Sequence, residues 1–195
     1  MIAPPTIEDR RRWWLLAYGI TSMEKAIETC DLIEAICDTN QHIAFYPLAT
    51  AAHSFYGRPF KRSNGVGRLN ADMIPPESNG IHQWLIHFRD GAYAHLDANH
   101  DDIAGRPMHD VVYSHGPDGN LLTTCDARAP LSAYKDARNH AKIIQAIFMD
   151  EIFYFHNRFL DMIPTTEGDF LLSLDSATDL FIPYSMQSHS VIHYK

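Results

Sequence analysis

The chain has 195 residues, 46% of them hydrophobic, 21% charged and 11% aromatic, which is enough apolar mass for one domain with its own core. Dispersed charge, together with 10 Phe, 9 Tyr and 3 Trp, excludes a disordered chain. A formal net charge of −8 repels a polyanion overall, so strong duplex DNA binding is not expected and only a locally basic cleft would hold nucleic acid.

Met1 to Pro5 carries no basic segment leading into an apolar run, and no stretch of about 18 apolar residues follows, so neither a signal peptide nor a membrane span is expected. The cysteines Cys30, Cys37 and Cys125 lack Cys-x-x-Cys spacing. That argues against a disulfide framework or a zinc ribbon, and for a reducing cytoplasm.

Thr6 is an N-cap candidate with Asp9 three residues on, in the manner of a capping box. Trp13, Leu16, Ile20, Met23, Ile27 and Cys30 then recur at alternating three and four spacing, which predicts a long helix over 7–37, with Gly19 as the one place for a bend. A second helix is predicted over 41–56, with Leu48, Ala51, Ala52 and Phe55 on its apolar face and Pro47 starting or kinking it. The loop from Gly57 to Arg68 is the most basic stretch of the chain and carries Arg58, Lys61, Arg62 and Arg68. A third helix, capped by Ser78 or Asn79, is predicted to run to about Asp97.

From His109 the period changes to two. Val111 and Tyr113 alternate with polar residues, Pro117-Asp118-Gly119-Asn120 turns, and Leu121 to Cys125 returns, so a β-hairpin is expected at about 109–127. Pro130 opens a second long helix whose stripe is Ile144, Phe148, Ile152, Phe155, Phe159 and Met162. Phe170 to Leu174 reads as a short strand and residues 185–195 as a loose tail. With no repeat or low-complexity linker, residues 1–195 read as a single mainly α domain, a bundle of about four principal helices with a β-hairpin insertion.

The third helix is the informative segment. Projected at 100° per residue from Trp84, the side chains of Trp84, His95, Phe88, Ile81, Ala92, Leu85 and Leu96 fall within about 120°, Arg89 borders them at about 140°, and Asp90 points almost oppositely. An imidazole and a guanidinium on a face due for burial need partners. They are either a core histidine and an ion-paired arginine, or a polar site enclosed between two copies of the chain, in which Arg holds phosphate and His moves a proton.

The string Phe88-Arg89-Asp90-Gly91-Ala92-Tyr93-Ala94-His95-Leu96-Asp97 resembles the Arg-x(4–6)-His signature of the HEPN superfamily (higher eukaryotes and prokaryotes nucleotide-binding), with Asp90 at the position after Arg that is usually Asn, Asp or His. The resemblance covers seven residues and implies a homodimeric α-bundle in which the Arg and His of two subunits face each other. It implies a metal-independent endoribonuclease, of toxin or defence type with a neutralising protein partner, in which the RNA 2′-OH attacks the adjacent phosphate and leaves a cyclic phosphate. Arg89 would then hold the phosphate, His95 transfer protons and Asp90 orient them, while Arg58, Lys61, Arg62 and Arg68 would contact the RNA; no cofactor or metal is implied. The competing class is a noncatalytic helical module that binds a protein partner or nucleotide through the same Arg89/His95 face.

Other constellations have plain readings. His95, Asp97, His100, Asp101 and Asp102 place five metal-ligand types in eight residues, yet no His-Glu-x-x-His or paired Glu-x-x-His accompanies them and a helix-ending turn has the same composition. Gly65-x-Gly67 lacks a third glycine and a preceding strand, so it is no dinucleotide fingerprint. His140 and His156 lie sixteen residues apart, about 160° apart in projection, and read as structural or surface residues. Arg10-Arg11-Arg12 reads as the solvated face of a first helical turn.

Overall fold

A computed structural model of the protein describes residues 3–93, 109–117, 119–126, 129–175 and 177–184. Among these the architecture is mainly α, with four principal helices and two small antiparallel hairpins. Helix α1 spans Ile7–Ile36 and begins as the sequence dictates: Thr6 Oγ accepts from the Asp9 N–H at 3.1 Å while Asp9 accepts from the Thr6 N–H at 2.9 Å. The reciprocal pair satisfies two of the amides that a helix start leaves orphaned.

Helix α4, Ser132–Arg158, lies antiparallel against α1. The direction is fixed by two crossings, Arg12 on Glu151 at 2.9 Å near one end, and Arg138 on Asp31 and Glu34 at 2.8 and 2.6 Å near the other. Leu16, Met23 and Ile33 of α1 meet Ile144 and Phe148 of α4 in the buried core, and Trp13 adds an aromatic end-plug against Phe155, Phe159 and Phe181. The helix runs unbroken through Gly19, which lies directly against Phe148 of α4. A Cβ placed there would meet the Phe148 ring at 2.8 Å.

Helix α2 spans Phe45–Gly57 and starts later than the predicted 41, because residues 41–44 form a turn in which His42 Nδ1 accepts the Ala44 N–H at 3.2 Å. Pro47 therefore stands in the first turn, where its missing donor costs nothing. The buried face also differs from the predicted one: it is Phe45, Ala49, Ala52, His53 and Tyr56. Periodicity alone discounts His and Tyr, whose polar atoms are satisfied inside this core.

Helix α3 is shorter than predicted as an α-helix. It covers Asn79–Phe88 and passes into a π-helical turn over Arg89–Tyr93; residues 94–97 lie outside the described residues. The strands β1, His109–Gly116, and β2, Gly119–Asp126, pair from His109↔Asp126 to Gly116↔Gly119, which is the predicted hairpin. Strand β3, Phe170–Leu172, has a partner the alternation did not announce, β4 at Phe181–Pro183. None of the described helices is long and apolar enough to cross a membrane.

The first-turn arginines divide. Arg11 and Arg12 are exposed, but Arg10 is 4% exposed and its guanidinium donates to the carbonyls of Ser173, Asp175, Thr178 and Asp179 at 2.8–3.3 Å. The solvated reading fails at Arg10, because the 173–179 loop folds over it and supplies the acceptors a buried cation requires.

Candidate functional site

Arg89 opens the π turn, where the backbone ladder widens. Its N–H reaches the carbonyls of both Ile86 and Leu85, and the Leu85 carbonyl also accepts Nδ1–H of His53 at 3.0 Å. His53 therefore holds the α-to-π junction from the facing helix. A carbonyl can only accept, so Nδ1 carries the proton, and Nε2 accepts from the Tyr134 hydroxyl at 3.3 Å. The ring is completely buried against Trp84 and Phe88, and that burial holds its pKa down at about 4.

Arg89 and Asp90 come together, against the expectation from uniform projection. Nη1 of Arg89 donates to one Asp90 oxygen at 2.7 Å, and Nζ of Lys61 donates to the other. A π turn adds a residue to the helical circuit, so the 100° step does not carry past Phe88. The three side chains retain 22%, 33% and 33% of their surface for Arg89, Asp90 and Lys61, so the cluster is accessible. Burial raises the Asp90 pKa, but the hydrogen bonds and charges of Lys61 and Arg89 outweigh it and hold the carboxyl below its ordinary range. Two cations thus share one carboxylate, and the cluster keeps one unit of positive charge.

Gly57 makes this placement possible. A Cβ there would collide with Cδ of Arg89 and lie 3.0 Å from its Nε. The last residue of α2 is therefore the floor under the guanidinium. Nε itself is buried without a partner among the described residues.

Behind the cluster lies a second buried group. The Tyr56 hydroxyl stands between His82 Nδ1 at 2.6 Å and His140 Nε2 at 2.8 Å. Nδ1 of His140 has no partner among the described residues. A bare lone pair there costs less than a bare N–H, so the proton sits on Nε2, which donates to Tyr56, which donates to His82. Burial lowers the pKa of both imidazoles, to about 4 at His140, with the Lys61 charge adding to the effect at His82 and His82 adding to it at His140. Burial also raises the pKa of the Tyr56 phenol. The group is neutral and structural at ordinary pH.

The remaining predicted residues disperse. The Arg58 guanidinium stacks over the Phe55 ring at 4.6 Å, while Arg62 and Arg68 are exposed on the turn beyond Lys61. His95 and the acidic group Asp97, His100, Asp101 and Asp102 lie outside the described residues, and among the described ones no cluster of three or more His, Cys, Asp or Glu could hold a metal. Sequence reasoning missed His82 at this site, although it lies seven residues, two turns, before Arg89 and shares its side of the projection at about 160°. Comparison with family models, with curated proteins and with solved structures finds no match to this chain.

Proposed function

We propose that this chain is an HEPN-like protein acting as a metal-independent endoribonuclease, with Arg89 holding the scissile phosphate and His95 transferring the proton. The observation that supports this reading is the excess cation at Arg89, Asp90 and Lys61, kept accessible and propped from below by Gly57. Arg89 stays charged at every relevant pH, and its fork gains strength as charge builds on the phosphate oxygens. Asp90, occupied on both oxygens, fixes the fork rather than taking a proton. The 2′-oxygen attacks phosphorus as its proton leaves, the bond to the 5′-oxygen breaks, and a proton is returned to that oxygen. The products are a 2′,3′-cyclic phosphate and a 5′-hydroxyl. An imidazole serves both transfers, because it takes up and releases a proton near neutral pH. In this reading two copies of the chain bring their Arg89/His95 faces together, and a neutralising partner covers them.

Purified protein is incubated with mixed cellular RNA, with and without EDTA, beside Arg89→Ala and His95→Ala. Each variant should lose about 100-fold or more in rate; EDTA should have no effect, and DNA of the same sequence should resist because it lacks the 2′-OH. Cleavage that EDTA abolishes moves the chemistry to the acidic group at 95–102. A second reading, a noncatalytic module binding through this face, is favoured by the engagement of Arg89 Nη1 with Asp90. It stands if wild type, freed of copurifying protein, cleaves nothing.

A further inference from the structure

A groove of about 710 Å³ runs between the first turns of α1 and the turn at residues 62–70. Arg11 and Arg12 enter it from the helix, and Arg62 and Arg68 from the turn. Arg12 is committed to Glu151, whereas Arg11, Arg62 and Arg68 are exposed and make no ion pair among the described residues. Glu8 and Asp9 are the only carboxylates in the lining among the described residues, and Asp9 is already engaged by the Thr6 cap. In a chain of net charge −8, this is a concentrated local reversal of sign.

The turn is shaped for an anion. Gly65 and Gly67 have φ of +87° and +88° with nothing within 4 Å of a Cβ, so glycine serves conformation there and not space. The turn closes through Ser63 and Gly67, which exchange hydrogen bonds at 2.8 and 3.0 Å, while the Gly65 and Val66 amides make none among the described residues. Free amides beside left-handed residues form a concave donor surface of the kind that takes phosphate. Among the described residues no aromatic side chain lines the groove, so its recognition chemistry there is that of backbone phosphate.

The groove begins one residue along the chain from the candidate site. Lys61 reaches Asp90, and the next residue, Arg62, turns into the groove. We infer that Arg11, Arg62 and Arg68 form a track for the phosphodiester backbone of the single strand flanking the phosphate held at Arg89. The identity of the ligand as an RNA strand rests on the reading above. The track has a binding readout of its own.

A fluorescein-labelled single-stranded 12-mer, in RNA and in DNA form, is titrated by anisotropy across a salt series in EDTA. The probes are wild type, the Arg11→Gln/Arg62→Gln/Arg68→Gln variant, and a charge-matched control, Lys25→Gln/Lys135→Gln/Lys142→Gln, whose residues are exposed on other surfaces. Three lost phosphate contacts should flatten the plot of log affinity against log salt by about 2, at about 0.7 per contact for single strands. The groove variant should bind at least about 10-fold more weakly than the control at low salt, with RNA and DNA affected alike. Equal behaviour of groove variant and control, no binding by wild type, or loss confined to RNA would each overturn the track. Intact binding without cleavage would overturn the ribonuclease reading and leave the track in place.

Discussion

Acidification from pH 6.5 to 5 should remove about 3 kcal/mol of folding stability through two buried histidines. His53 and His140 are held neutral in the fold with pKa values of about 4, against 6.5 when free. Between those values the unfolded chain binds protons that the native chain refuses, so stability rises with pH there and is fully present above the free value. It falls as pH drops through 6.5 and stops falling near 4. For each group the loss between pH 6.5 and 5 is about 1.6 kcal/mol, from the linkage integral with RT near 0.6 kcal/mol. His82, also lowered, adds in the same direction. Asp90 is shifted down from the carboxylate range, so its contribution is lost only at more acid pH and does not confuse the window. Urea unfolding at half-unit pH steps measures the slope. His53→Gln, which keeps a donor for the Leu85 carbonyl, should reduce the slope at pH 5 by about 1.2 kcal/mol per pH unit, a little under one proton's worth. A flat profile from 6.5 to 5, or a slope unchanged in His53→Gln, would refute the assignment of these imidazoles as buried and neutral.

Three substitutions probe the contacts directly. Gly57→Ala suits the local backbone, at φ −73° and ψ −20°, so its melting temperature should stay near wild type. Its methyl nevertheless displaces Arg89, and on the ribonuclease reading cleavage falls about 100-fold; unchanged cleavage would remove Arg89 from the phosphate. Arg10→Ala strips donors from four carbonyls and should cost about 3 kcal/mol, with faster limited proteolysis near residues 173–179, and Arg10→Lys should not restore the loss because one ammonium cannot span the set. Gly19→Ala drives a methyl into the Phe148 ring and should lose about 1 kcal/mol in urea unfolding after the helix-propensity gain is counted, with Phe148→Leu in the same chain relieving part of it.

The long elements were legible because local signals and burial agreed. Thr6 and Asp9 announced the start of α1, the stripes of α1 and α4 face each other, and Pro117 to Asn120 placed the hairpin turn. The site was legible only in part. Arg89 stood out as a charge bordering an apolar face, but the π turn that carries Asp90 to Lys61 has no period of its own in five residues. His53, His82 and His140 count as polar in a hydrophobic pattern, yet all three are buried with Tyr56 because distant side chains and a carbonyl satisfy them. Those partners are 26 to 84 residues away in sequence, beyond the reach of spacing arguments. Arg10 was misread for the same reason, since all its acceptors are main-chain carbonyls and leave no trace in residue type.

That clamp also orders events in time. The Arg10 guanidinium is synthesised 163 residues ahead of its first acceptor, the Ser173 carbonyl. At about 5–20 residues per second, roughly 10–30 s pass before the acceptors exist. Until then α1 must carry a buried-type arginine in water and cannot close the end of the bundle that Trp13 plugs. Final packing of α1 therefore waits until its acceptors up to Asp179 have been made, and a ribosome stalled before residue 173 would display a nascent chain in which α1 is still open to proteases and chaperones.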